Sequence, residues 1–89
     1  MDTQMICHFE VTDFTEWQTA FTADAEARRE AGLTVLQIWR HADSTIHAFA
    51  LLKVNDRKRA QAWISRSNAL HSDDGNTVTG ASHYFVETA

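Results

Sequence analysis

Six segments in the order strand, helix, strand, strand, helix, strand fill this chain of eighty-nine residues, and that order constrains the fold more than any single residue does. From residue 4 to residue 11 the side chains alternate. Met5, Cys7, Phe9 and Val11 fall on one side and Ile6, His8 and Glu10 on the other, which is the period of a strand. Asp13, with Glu16 three residues on, has the pattern of a helix N-terminus. Phe14, Trp17, Phe21, Ala25 and Arg28 then recur at steps of three and four. That spacing predicts one amphipathic helix, ended by the basic pair Arg28 and Arg29 and by Gly32. Residues 33–40 and 45–54 are strand-like on either side of the turn chemistry of His41, Ala42, Asp43 and Ser44, so a hairpin is expected. Asn55 or Asp56 starts a second helix with Ala60, Trp63, Ile64 and Ser67 on its inner face. Residues 71–76 read as loop and 77–87 as the closing strand. The expectation is one α+β domain spanning 1–89, a four-stranded antiparallel sheet in the order 4-1-3-2 with two helices on one face.

Two helices shield only one face of such a sheet. In the third strand Ile46, Ala48, Ala50, Leu52 and Val54 suit packing under helices, while His47, Phe49, Leu51 and Lys53 point the other way. If the hairpin pairs Ile38 with Ala48, then Val35, Gln37 and Trp39 join the helix-free face. The first strand adds His8, and the last is expected to add His83 and Phe85. A face bearing Trp39, Phe49, Leu51 and Phe85 is too apolar for water, and a homodimer with two sheets facing each other is expected to cover it. A slip of one residue in any strand would exchange its two faces.

Composition narrows the function classes. The net charge is −4 with acids and bases scattered, and without a basic stripe nucleic acid is not expected as a partner. The single cysteine, Cys7, excludes an internal disulfide and a cysteine metal cage, and its place in the first strand reads as a buried small apolar residue. No apolar run approaches about 18 residues, so no membrane-spanning helix is expected. The N-terminus lacks the basic and apolar stretches of a secretory signal, and a cytoplasmic location is expected.

Four stretches resemble a known group. Val11-Thr-Asp-Phe-Thr-Glu-Trp-Gln-Thr-Ala-Phe resembles the start of the first helix in small dimeric α+β barrel proteins, and Ala27-Arg-Arg-Glu-Ala-Gly is similar to its basic end. Ile38-Trp-Arg-His-Ala-Asp resembles the hairpin of that group, and Lys58-Arg-Ala-Gln-Ala-Trp its second helix. The group is related to antibiotic-biosynthesis monooxygenases and stress-responsive barrel proteins. The resemblance implies a ferredoxin-like βαββαβ fold assembled as a dimeric α+β barrel. It implies no single activity, since members include cofactor-free oxygenases, heme-degrading enzymes and isomerases, and the matching residues are structural. Heme-degrading members use an Asn, a Trp and a heme-ligating His. Asn68, Trp63 and His71 are the residues of those types near the second helix, but they do not fall at the group's positions, and no cofactor is expected. The polar loop Ser72-Asp-Asp-Gly-Asn-Thr departs from the Gly/Pro-containing loop usual there.

Five histidines make a high count for this length. With the faces assigned as above, His8, His47 and His83 share the space between sheets and are the candidate catalytic residues. Trp39, Phe49 and Phe85 would form an aromatic pocket, with Gln37 or His47 as its polar anchor. Such a site suits a small apolar or aromatic molecule, bound for oxygenation or isomerisation without a cofactor. The alternative is a non-enzymatic binding or assembly domain whose free sheet face is only a dimer interface. A histidine-metal enzyme rests on the histidine count alone, and no metal is expected. Trp17 and Trp63 sit at core spacing and are expected to serve packing.

Overall fold

The structure is a computed structural model that describes residues 3–70 and 78–89, the side chains of 67–70 set aside. Strand β1 runs over Thr3–Val11, helix α1 over Phe14–Ala23 and helix α2 over Ala25–Glu30. Strands β2 (Leu33–Arg40) and β3 (His47–Val54) follow, then helix α3 (Arg57–Leu70) and strand β4 (Val78–Glu87). The four strands form one antiparallel sheet in the order β2-β3-β1-β4, the order expected from the sequence. The expected loop 71–76, with His71, and Thr77 at the start of the last strand lie outside the described residues.

One helix was expected between Asp13 and Gly32, and two are found. Asp13 caps α1 as its sequence predicts, its carboxylate accepting the Glu16 backbone N–H at 3.2 Å. At Asp24 the backbone leaves helical geometry (φ −90°, ψ 15°), and its N–H donates to the Phe21 carbonyl three residues back. The Arg28 guanidinium reaches back to the same carbonyl and lies 3.8 Å over the Phe21 ring. Arg28 is thereby buried, whereas Ala25, expected on the inner face, is turned out to solvent. Desolvation lowers the Arg28 pKa from its ordinary value, with the Asp24 carboxylate opposing the shift.

The core lies between the helices and the buried side of the sheet. Met5, Cys7, Phe9 and Val11 of β1 and Ala48, Ala50, Leu52 and Val54 of β3 are all buried, as their alternation requires. Trp17 stacks on Phe21 at 4.7 Å between ring centroids, and both rings contact Phe9, at 5.4 and 6.1 Å. Removing a phenylalanine-sized ring from water contributes about 1.5–3 kcal/mol, so this cluster dominates the helix–sheet contact. Asp56 caps α3 by accepting the backbone N–H groups of Lys58 and Arg59, and Ala60 and Trp63 face inward from it. Ile46, expected under the helices, precedes β3 and is 51 % exposed.

The hairpin register differs from expectation in two ways. Ile38 pairs with Ala50 and Arg40 with Ala48, an offset of two residues that keeps Gln37 and Trp39 on the helix-free face. A bulge at Leu36 then breaks the alternation, so that Val35 pairs with Leu52 and belongs to the helix side, not to the free face. Gly32 closes α2 with φ +72°, the left-handed region, and its carbonyl accepts the Asn55 N–H at 2.9 Å. Gly32→Ala is expected to destabilise the protein by about 1–2 kcal/mol, from the left-handed backbone alone, since a Cβ there would meet its neighbours no closer than 3.5 Å. Urea unfolding followed by circular dichroism measures it, and an unchanged midpoint would contradict this account.

Candidate functional site

The strand registers divide the expected site residues between two faces. On the helix-free face, His8 pairs with Phe49 across β1 and β3, and Trp39 pairs with the same Phe49 across β2 and β3. Glu10 pairs with His47, and Gln37 with Leu51. His8 Nε2 lies 3.1 Å from His47 Nδ1, and the His8 ring stacks on Phe49 at 4.8 Å. His41, in the turn before β3, brings a third imidazole within 5.6 Å of His47, and its Nδ1 accepts the Asp43 backbone N–H. Trp39 is 46 % exposed, Tyr84 59 % and Ile6 38 %. The Gln37 side-chain amide donates to the Ile38 carbonyl.

His83 and Phe85 are not on that face. β4 pairs with β1 so that Cys7 faces His83 and Met5 faces Phe85, which puts both on the helix side. Cross-strand partners point the same way, so the free-face residues of β4 include Ser82, Tyr84 and Val86, the partners of His8, Ile6 and Gln4. The expected trio of His8, His47 and His83 therefore does not form. Among the described residues no three His, Cys, Asp or Glu side chains converge as metal ligands.

On the helix side the His83 imidazole meets Phe9 edge-on at 5.7 Å and Trp63 edge-on at 6.1 Å. Arg57 lies 4.6 Å over the Phe85 ring. The Trp63 indole N–H is buried and has no hydrogen-bond acceptor among the described residues, an arrangement that costs about 1–3 kcal/mol if nothing fills the need. Beside Trp63, a cleft of about 420 Å³ opens between Ala27 and Ala31 on one wall and Ala62 on the other, with Glu30, Arg59 and Arg66 around it. Sequence spacing read Trp63 as packing. Its unpaired N–H is a feature of three-dimensional placement, and no pattern in the chain announces it.

Cys7 lies in the same layer, fully buried, and desolvation pushes its thiol up from 9.0 to about 12. The neutral thiol is a small apolar filler and not a nucleophile. Of the other imidazoles, His8, His41 and His47 are on or beside the opposite face, and His71 lies outside the described residues, as does the side chain of Asn68. Among the described residues, then, the helix side presents one imidazole, His83, and it is walled by two aromatic rings. That enclosure does not fit an open axial ligand for a porphyrin.

No protein-family model matches the sequence, and neither does any curated protein. Solved structures do match in fold. The heme-degrader MhuD from Mycobacterium tuberculosis, solved with two hemes bound in its active site, is similar over 97 % of this chain and 94 % of its own, with a TM-score of 0.66 at 23 % identity. A protein described as a candidate antibiotic biosynthesis monooxygenase from Nitrosomonas europaea matches over 97 % of both chains, with a TM-score of 0.61 at 20 % identity. A dimeric ferredoxin-like protein from an uncultured marine organism matches over 99 % of this chain and 90 % of its own, with a TM-score of 0.57 at 10 % identity. The chain therefore has the ferredoxin-like α+β fold that these structures share, as its sequence led one to expect. At these identities the likeness establishes the fold. No helix among the described residues is long and apolar enough to cross a membrane.

The Cys7 environment has a measurable consequence. A thiol with its pKa raised in the folded state contributes stability that is fully present below the unfolded value of 9.0 and lost as pH climbs towards about 12. Stability to urea is expected to fall through that window in the wild type, and to fall less in Cys7→Ala. At neutral pH the native thiol should resist iodoacetamide and react only once the chain is unfolded. Rapid labelling of native protein would refute this reading.

Proposed function

We propose that this chain is a small-molecule-binding protein that works as a homodimer, with the ligand held on the helix side of each copy and the partner seated on the free sheet face. The observation that carries the ligand half is the buried Trp63 N–H without an acceptor, set beside His83 and next to the α2–α3 cleft. A ligand oxygen would supply the missing acceptor. The cleft is walled by Ala27, Ala31, Ala62 and Trp63 and edged by Glu30, Arg59 and Arg66, a lining that favours a compact apolar or aromatic body with a polar edge. The exposed Trp39, Tyr84 and Ile6, with half-buried Phe49 and Leu51 between them, support the dimer half. That the marine protein of the same fold is dimeric agrees with it.

Within that site the chemistry open to the residues is proton transfer. His83 would take a proton from a carbon made acidic by a neighbouring carbonyl or phenol, and the Trp63 N–H would donate to the oxygen on which the charge collects. In an isomerisation the proton returns at another carbon. In an oxygenation without cofactor the co-reactant is molecular oxygen: a substrate CH₂ becomes C=O, the carbon is oxidised, and the second oxygen atom leaves as water. His8, His47, Trp39, Gln37 and Phe49 belong, in this reading, to the dimer interface. His83 and Phe85 belong to the pocket.

The rival reading is a domain that only assembles, and the two differ in what they bind. Thermal-shift screening of polyphenols and enolisable ketones, followed by oxygen uptake on any hit, is expected to find ligands that raise the melting temperature. A heme titration in the same series reads the porphyrin case directly by its absorption. For a hit bearing an oxygen acceptor, Trp63→Phe is expected to weaken binding roughly fivefold to tenfold, the share of one hydrogen bond. Equal binding by Trp63→Phe would remove Trp63 from the site, and the absence of any ligand would leave the assembly reading. For the interface, Trp39→Asp is expected to convert the dimer into a monomer in sedimentation velocity. A wild type that is monomeric at micromolar concentration would defeat the dimer half.

A further inference from the structure

We propose that the hydrogen-bonded pair of His8 and His47 makes the dimer proton-gated, so that the two copies separate as the pH falls through the imidazole range. The proposal rests on the dimer reading above and concerns how that interface is controlled. His8 Nε2 and His47 Nδ1 are 3.1 Å apart, and the two rings are within 18° of parallel. A nitrogen–nitrogen hydrogen bond of this kind uses one N–H and one lone pair. A first extra proton can sit only on an outer nitrogen and leaves a charge on the pair. A second removes the lone pair that holds the bond and sets two cations about 3 Å from each other.

On an open sheet both changes are mild, because water solvates the rings and the side chains can turn apart. Under a second sheet they are not, since the pair stands at the middle strands against Phe49 and beside Ile6 and Trp39. Among the described residues the charged and titratable groups facing it are few. Glu10 follows on β1 and reaches over Gly80 of β4, where its carboxylate comes within 3.1 Å of a notional Cβ. Lys53 lies at the far end of β3 and Tyr84 on β4, while β2 offers the neutral Gln37 and Trp39. His41, from the turn, is 5.6 Å from His47 and adds a further cation at low pH. Among the described residues, the single Glu10 carboxylate opposite His47 cannot neutralise a doubly charged pair together with His41. Dissociation therefore takes up protons, and by symmetry it does so at both copies.

Sedimentation velocity on the full chain at about pH 8 and at steps down to about pH 5.5 spans the range in which an imidazole titrates. The dimer Kd is expected to rise by at least tenfold for each unit of pH in the lower part of that range, with a limiting slope near two protons per dimer. The double variant His8→Gln, His47→Gln is expected to flatten that slope, and His41→Gln to keep most of it. A wild-type dimer whose Kd is the same at both ends overturns the inference and leaves the dimer standing. An undiminished slope in the double variant overturns it too. A wild type that is monomeric at about pH 8 is the distinct failure of the dimer reading itself. Should the variants not fold, imidazole ¹⁵N shifts of the wild type decide the matter. Protonation of His8 and His47 should accompany the appearance of monomer, and their titration inside an intact dimer would overturn the proposal.

Discussion

Strand β1 sets the handedness of every other face in this molecule. It is hydrogen-bonded on both sides, to β3 and to β4, and one of its two rows of side chains is sealed completely under the helices. Because partners across an antiparallel ladder point the same way, the row Met5, Cys7, Phe9 and Val11 dictates that Leu52, Ala50 and Ala48 are also inside. It dictates equally that Phe85, His83 and Ala81 are inside on the other flank. That division sorts the imidazoles: His83 of β4 is set against Trp63 of α3, and His8 of β1 and His47 of β3 are left on the sheet's bare side.

The aromatic cluster fixes how far the helices stand off this sheet. Trp17, Phe21 and Phe9 form one continuous contact, and the Arg28 guanidinium extends it by covering the outer side of Phe21. A charged group enters a core at a high cost unless its hydrogen bonds are met, and the Phe21 carbonyl, bonded by both Arg28 and the Asp24 N–H, meets part of that need. The break between α1 and α2 and the burial of Arg28 are thus a single arrangement. On the far side α3 is held by Trp63, whose ring packs against His83 while its N–H stays unmatched. The helix layer is well satisfied at α1, whereas at α3 the Trp63 N–H has no acceptor among the described residues.

Much of the fold could be read from the residues, and the reason is periodicity. β1 and β3 carry a strong contrast between their two rows, Asp13 and Asp56 cap helices where short polar side chains are expected, and Gly32 occupies a left-handed position. The site was legible only in part. β4 carries Ala81, His83 and Phe85 on one row and Ser82, Tyr84 and Val86 on the other, two rows too alike for alternation to choose between them. Its facing is decided by pairing with β1, and pairing is a property of the folded chain. The bulge at Leu36 likewise left no mark in the sequence that would separate Val35 from Gln37 and Trp39. The helix break at Asp24 was hidden because the three-and-four spacing continues through it.

That same bulge bears on how the sheet can grow. β2 is an outermost strand, and an outermost strand offers a row of free peptide groups to any extended chain that approaches it. An extra residue at Leu36 interrupts the row midway and coils the strand, so that a straight newcomer could match only a few groups on either side. Lateral recruitment, the route that leads to fibres, is discouraged, while stacking through the broad surface is left open. The irregularity therefore works against an endless ribbon grown strand by strand from this edge.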